Sequence, residues 1–233
     1  MEMRVLDDAD SVARHAANLI AAHARAAVEN RGRFILAVSG GQTPWKMFRA
    51  LADEEVPWRG LHVAQVDERV APLGDPDRNL THLRECLVER APLPPEQLYA
   101  MPVDGADLDS AAERYALTLK EIAGSPPVLD LVHLGLGSDG HTASLVPGDP
   151  ALDVTDADIT LTGIYQNRRR MTMTYPILNR SRRLLWVVTG GEKAGMLERL
   201  VDGDRSIPAG RVRREGALVL TDRAARTRSQ GPR

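Results

Sequence analysis

The stretch Asp130-Leu-Val-His-Leu-Gly-Leu-Gly-Ser-Asp-Gly-His-Thr-Ala-Ser-Leu-Val-Pro-Gly148 decides the fold, because a near-continuous apolar run stops abruptly in small, polar and titratable residues. From Leu129 to Leu136, Leu and Val take almost every position, as in a strand covered on both faces of a parallel sheet. Gly135, Gly137 and Gly140 then end the strand, and glycines so closely spaced permit positive φ and let backbone N–H groups approach a ligand. Asp139 and His141 add a carboxylate and an imidazole two residues apart, groups suited to moving protons near neutral pH. The same glycines satisfy the dinucleotide pattern G-x-G-x-x-G. Against that reading, Pro147 and Gly148 interrupt the helix that a pyrophosphate would cap, and the pattern lies mid-chain rather than in the first βα turn. Asp156 and Asp158, near the spacing of a ribose-binding acid, keep it open. The plainer alternative has Asp139 capping a short helix with a satisfied His141 on its first turn.

Working outward, the same strand-to-turn pattern recurs. Arg33-Phe-Ile-Leu-Ala-Val-Ser-Gly-Gly-Gln-Thr-Pro44 is an apolar strand running into a glycine pair, with Pro44 expected at the first turn of a helix through Leu51. Gly40 and Gly41 at a helix start offer an anion unpaired N–H groups and the positive end of the helix dipole, and Ser39 and Thr43 add hydroxyls; the plainer alternative is a tight turn with a Ser/Thr cap. No Gly-Lys-Ser/Thr follows, which favours a phosphomonoester over a nucleoside triphosphate. Leu61–Val66 is a third strand that delivers Asp67-Glu68-Arg69 at its carboxyl end. There the acids can hold a polyhydroxylated substrate and the guanidinium can meet an oxyanion, or the three can form a solvated loop ion pair. Asn79 opens a helix marked by Leu80, Leu83 and Leu87, and its side chain either caps that helix or points toward the site.

Later segments add cations. Arg168-Arg169-Arg170 precedes the alternating Met171-Thr-Met-Thr174; such a run is either solvated surface or supplies one guanidinium that forks onto a phosphate. Arg183–Thr189 is another apolar strand, and Gly190-Gly-Glu-Lys193 after it sets an ammonium at the N-terminus of the helix from Ala194 to Leu200. A cation there opposes the macrodipole unless an anion is bound, or it is simply an exposed lysine tolerated at a small cost. The opening segment supplies a short strand at 3–6 and a helix capped by Asp8 or Asp10, ending near Gly32, while Leu98–Met101, Leu108–Ile122, Ile159–Thr162 and Ala217–Thr221 read as strand, helix, strand and strand.

The chain's 233 residues, 43% of them hydrophobic, suit one large α/β domain over 1–222, followed by a basic, flexible tail at 223–233. A formal net charge of −2 gives no global attraction for nucleic acid or an anionic membrane surface, though a local pocket for a small anion is compatible with it. Cys86, the single cysteine, rules out an intrachain disulfide or a cysteine-cluster metal site. No apolar stretch approaches the length of a membrane span and the start has no apolar leader core, so a cytoplasmic, soluble protein is expected.

Four strand ends, at Ser39-Gly-Gly-Gln-Thr-Pro44, Asp67-Glu-Arg69, Gly135-Leu-Gly-Ser-Asp-Gly-His141 and Gly190-Gly-Glu-Lys193, occur in an order that resembles the glucosamine-6-phosphate isomerase/6-phosphogluconolactonase family over roughly residues 10 to 222. Gly137-Ser-Asp-Gly-His-Thr-Ala-Ser-Leu145 with Pro147-Gly148 is the most specific element. The resemblance implies a three-layer α/β/α sandwich with a Rossmann-like, mostly parallel sheet, no metal or cofactor, and hydrolysis of 6-phosphoglucono-δ-lactone in the oxidative pentose phosphate pathway. By the same resemblance, His141 is the general base, Asp139 supports it, Arg69 balances charge on the carbonyl oxygen, and Asp67 holds sugar hydroxyls. Phosphate would lie against Ser39, Gly40, Gly41 and Thr43 with Lys193 and Arg169 or Arg170 as counter-charges, and Asn79 and Gly137 complete the substrate site. The family's deaminase branch carries a glutamate five residues past its histidine, where this chain has Val146. A non-catalytic sugar-phosphate sensor is a third reading, opposed by the retention of His141, Asp139 and Arg69. A small-molecule sugar phosphate is thus the expected partner, while the oligomeric state stays open between monomer and weak dimer.

Overall fold

A computed structural model describes residues 1–226. Helix α1 spans Ala9–Arg31 because local chemistry fixes both ends: the Asp8 carboxylate accepts from the Ser11 N–H at 2.7 Å, and left-handed Gly32 (φ 74°) returns its N–H to the Val28 carbonyl. Its inner face is built of small and aliphatic residues, Val12, Ala13, Ala16, Ala17, Ile20, Ala21, Ala24 and Ala27, which let the helix lie close against the sheet.

The apolar runs become the strands β1 Glu2–Leu6, β2 Phe34–Val38, β3 Leu61–Gln65, β5 Leu98–Tyr99, β6 Leu131–Leu134, β9 Arg183–Val188 and β10 Ala217–Asp222. They form one wholly parallel sheet in the order β1-β10-β9-β6-β2-β3-β5. A smaller antiparallel sheet, ordered β4-β8-β7, joins β4 Asp67–Arg69, β7 Ile159–Leu161 and β8 Arg170–Met173. Asp67-Glu68-Arg69, expected at the carboxyl end of the third strand or as a solvated loop ion pair, is therefore a strand of its own.

Helices cover both faces, giving three layers. On one side lie α1, α2 Gln42–Ala52 and α3 Asn79–Leu83, which continues as a π turn over Arg84–Val88; on the other lie α4 Leu108–Ala123, α5 Tyr175–Arg180, α6 Ala194–Asp202 and α7 Arg223–Arg226. Strand residues alternate between the two cores: Phe34, Leu36 and Val38 meet Ile20, Met47 and Phe48, while Ile35 and Ala37 join the cluster of Tyr115, Leu119 and Leu197. Truncating fully buried Leu36 to alanine would cost about 2–5 kcal/mol.

Helix α2 has Pro44 in its first turn as expected; Pro44 is its third residue, where the missing N–H falls among the groups lacking an intrahelical partner. α5, with Pro176 in its first turn, had no counterpart in the sequence reading. Residues 223–226, assigned to the flexible tail, form a helical turn with Ala225 buried and its N–H bonded to Asp222; residues 227–233 lie outside the described residues. Among the described residues, no helix is long and apolar enough to cross a membrane.

From β2 the chain moves outward to β3 and β5, then returns to place β6 on the other side of β2 and continues to β9 and β10. The order therefore reverses between β2 and β6, and a crevice beyond the carboxyl ends at such a reversal is where open α/β sheets bind ligands.

Candidate active site

The loop after β6 is closed by its own backbone: Gly137 N–H donates to the His141 carbonyl at 2.8 Å and Gly140 N–H to the Gly137 carbonyl at 3.1 Å. Gly140 adopts φ 86°, and a Cβ there would meet Ile207 at 2.8 Å. The closure brings His141 Nδ1 to 2.6 Å from Asp139 Oδ1, the same oxygen that accepts the His141 N–H at 3.1 Å. No helix follows; Thr142 and Leu145 form an isolated bridge, so both the dinucleotide reading and the capped-helix alternative lack their element.

Tyr165 completes this cluster, with its hydroxyl donating to Asp139 Oδ2 at 3.0 Å and its ring edge-on to the imidazole, centroids 5.5 Å apart. Partial burial pushes the Asp139 carboxyl up, yet the His141 charge, two His141 hydrogen bonds and the Tyr165 hydroxyl together hold it below the usual carboxylate range. Desolvation and then the Asp139 hydrogen bond push the Tyr165 phenol up, so it remains a donor.

Beside this cluster, Arg69 on β4 stands opposite Arg170 on β8. Each has a buried Nε with no hydrogen-bond partner among the described residues, and desolvation, opposed by the Asp67 charge and reinforced by Arg69, leaves Arg170 below the usual arginine range. Asp67, two residues before Arg69, is buried and engaged: Ser144 Oγ donates to its Oδ2 at 2.6 Å, and Asn79 Nδ2 donates to its carbonyl at 3.0 Å. Asn79 does not cap its helix through its side chain. It packs against Gly40, where a Cβ would lie 2.0 Å from Asn79 Oδ1.

Glu68 corrects the view of an acid-acid-base triplet facing substrate. It is fully buried and directed inward, accepting the backbone N–H groups of Arg69, Asn79 and Leu80 and the Gln65 amide, each at 2.8 Å. A carboxylate bonded to the first free N–H groups of α3 is a remote cap, and it ties β4 to that helix.

The crevice itself is a cavity of 540 Å³ between the β2 and β9 turns, lined by Gly40, Gly41, Thr43, Gly135, Gly190 and Lys193 among others. Its two walls meet where the Thr43 and Thr189 hydroxyls hydrogen-bond at 2.5 Å. Lys193 stands at the start of α6 and makes no ion pair among the described residues; Lys46, on the same cavity, is paired with Asp10 at 2.6 Å. Asp222 accepts the Gly190 N–H at 3.2 Å and so holds the β9 turn.

Ser39 does not face this cavity. It is buried in the β2–β6 seam, donating its hydroxyl to the His133 carbonyl at 3.1 Å and its N–H to His133 Nδ1 at 3.3 Å. The arginine triplet divides three ways. Arg168 is clamped by Asp75 and Asp77 at 3.2 and 3.0 Å, Arg169 is exposed with its Nε directed to the Thr162 carbonyl, and Arg170 alone turns inward to the His141 side. Neither Arg169 nor Arg170 lines the cavity between the β2 and β9 turns.

Sequence reasoning missed Tyr165, Thr189, Lys46 and Ser144. Thr189, at the end of a buried run and just before Gly190-Gly191, carried the clearest signal.

Comparison with known proteins yields the same architecture. Residues 7–220 match the model of a family described as glucosamine-6-phosphate isomerases/6-phosphogluconolactonase. A 6-phosphogluconolactonase from a Nostoc species is 35% identical over 231 residues, 96% of this chain and 96% of that protein. One from a Synechocystis species is 36% identical over 207 residues, covering 85% and 86%. The crystal structure of 6-phosphogluconolactonase from Thermotoga maritima superposes with a TM-score of 0.83 at 27% identity, covering 95% of this chain and 98% of that one.

Proposed function

We propose, from the premise that this chain belongs to the glucosamine-6-phosphate isomerase/6-phosphogluconolactonase family, that it hydrolyses 6-phosphoglucono-δ-lactone to 6-phosphogluconate. The observation that carries the reading is the Asp139–His141 pair at the end of β6. With Nδ1 directed to the carboxylate, the imidazole presents Nε2 as a base. His141 takes a proton from water as the water oxygen bonds to the lactone carbonyl carbon. Arg69 stabilises the resulting oxyanion. The tetrahedral intermediate then collapses with cleavage of the bond to the ring oxygen, which receives the proton from His141, and the new carboxyl group ionises.

The substrate's phosphate occupies the cavity between the β2 and β9 turns, against Gly40, Gly41 and Thr43. Gly41 caps α2 without a side-chain hydrogen bond, leaving the helix's first N–H groups for an anion. Lys193 supplies the counter-charge, and an anion removes its conflict with the dipole of α6. Of the three arginines, Arg170 is assigned to the substrate side; Arg168 and Arg169 are assigned to the surface.

Within the family, buried apolar Val146 favours hydrolysis over deamination, since it leaves no carboxylate at the position where the deaminase branch carries its glutamate. The test generates the lactone in situ from glucose 6-phosphate and follows its loss above spontaneous hydrolysis, with ammonia release from glucosamine 6-phosphate assayed in parallel. Lactone loss without ammonia is expected. Ammonia release, or sugar-phosphate binding without turnover of either compound, would replace this reading with the deaminase or the sensor.

A further inference from the structure

We propose that Tyr165 is a positioning residue that fixes Asp139 and His141 in the arrangement presenting Nε2 to water. This inference rests on the lactonase reading for its kinetic consequences, though not for its geometry.

Tyr165 sits at the tip of the β7–β8 hairpin. Its N–H and carbonyl exchange hydrogen bonds with Arg168 at 3.0 and 3.2 Å, closing a two-residue turn over Gln166 and Asn167. Both central residues have positive φ, 50° and 63°, as a turn of this twist requires. Asparagine accepts that conformation readily and glutamine poorly, so the Gln166 backbone is held against its preference. The Gln166 side chain shows what accompanies the strain: its Oε1 accepts from Arg170 Nη2 at 3.0 Å. Arg170, itself buried, lies over the face of Tyr165 with its guanidinium carbon 4.9 Å from the ring centroid.

Gly163, Ile164, Gln166 and Asn167 around the tip are exposed, yet Tyr165 folds inward onto Asp139 and His141. Contacts thus run without a gap from Gln166 through Arg170, Tyr165 and Asp139 to His141. Each constrains a different freedom. Arg170 holds the ring from its face, the ring edge limits the tilt of the imidazole, and the hydroxyl occupies the one Asp139 oxygen that His141 does not use. Without that hydroxyl the carboxylate can rotate, and the imidazole can exchange its hydrogen-bonded nitrogen.

The charged and titratable groups facing the cluster are Asp139 and His141 on the β6 loop, Tyr165 and Arg170 on the hairpin, and Asp67, Glu68 and Arg69 on β4, which act through Arg170. Removing the phenol hydroxyl frees one Asp139 oxygen, so the carboxylate no longer has a single orientation toward the imidazole.

The experiment compares wild-type protein with Tyr165→Phe, which keeps the ring for Arg170 and His141. The expected result is a kcat about tenfold lower with KM changed less than about twofold, as for withdrawing one charge-assisted hydrogen bond. Long-range ¹H–¹⁵N spectra of histidine-labelled protein should report a single Nδ1–H tautomer of His141 in the wild type and mixed tautomers in Tyr165→Phe. An unchanged tautomer overturns the positioning role, even if kcat has fallen through a general loss of stability. If the wild type does not hydrolyse the lactone, the functional reading fails alone, and the tautomer comparison still decides the role of Tyr165.

Discussion

Replacing Gly137 by alanine tests the geometry of the histidine-carboxylate pair without altering either partner. A Cβ at this position would lie 2.0 Å from His141 Nδ1, 2.3 Å from its Cε1 and 2.6 Å from Asp139 Oδ1. Ordinary contact begins near 3.4 Å, so the ring must retreat by about 1.4 Å. The backbone resists moving instead, because Gly137 bonds through its N–H to His141 and through its carbonyl to Gly140. The His141 side chain is 24% exposed and has room to swing outward, which breaks its 2.6 Å contact with Asp139. Misplacing a reacting group by about 1 Å can lower turnover about 10²-fold, equivalent to about 2.7 kcal/mol of barrier. The β2 turn is untouched, so KM for the lactone should stay within about twofold of wild type. Steady-state lactone hydrolysis measures both constants, and a thermal melt shows whether the fold is retained, with a fall in Tm of about 2–4 °C for each kcal/mol lost. An alanine variant with wild-type kcat, or one impaired through KM alone, would refute the assignment of this contact to the chemical step.

Three further outcomes are expected. His141→Ala should keep the fold and bind inorganic phosphate in titration calorimetry while losing about 10²–10⁴-fold in kcat; wild-type turnover would remove His141 from the mechanism. Lys193→Ala should raise KM with a smaller change in kcat, because the phosphate does not react, and unchanged steady-state constants would contradict its placement there. His133 is fully buried, and desolvation lowers its imidazole to about 3. Since this folded value lies below the unfolded 6.5, the unfolded chain binds the proton first, and stability falls as pH drops from about 6.5 toward about 3. The slope reaches about 1.4 kcal/mol per pH unit where only the unfolded state is protonated. Urea midpoints at pH 7 and pH 5 should therefore converge in His133→Asn relative to wild type; parallel shifts would show that other groups govern the acid response.

What the sequence made legible follows the range of the interactions involved. Asp8 and Gly32 announce α1 because a cap acts within three or four residues, and the runs of Leu and Val announce the parallel strands because burial on both faces needs no partner to be identified. The spacing of Asp139, Gly140 and His141 was enough to bring the carboxylate and imidazole together. Glu68 could not be read that way. Its ligands come from Gln65, Arg69, Asn79 and Leu80, and only the turn of the chain between β4 and α3 reveals that a charge in a polar triplet is buried. Ser39 was misjudged for the same reason, since its hydroxyl is claimed by a strand 94 residues away. Tyr165 carried no local signal: a single aromatic in a polar turn acquires meaning only once β8 pairs with β4 and the hairpin is laid across the β6 loop.

That pairing also has an informational side. Arg168, Arg169 and Arg170 are identical side chains in succession. What distinguishes a surface clamp, a solvated arm and a group packed on Tyr165 is the β4–β8 register, which matches Arg69 with Arg170 and gives the Arg169 carbonyl to the Val70 N–H. Removing one residue from the turn at 163–167 would leave the composition of the triplet intact while shifting which arginine fills each position. A strand slipped by one residue turns its side chains to the opposite face. The triplet is thus an address read by backbone hydrogen bonds, and its chemistry is assigned by counting along the strand.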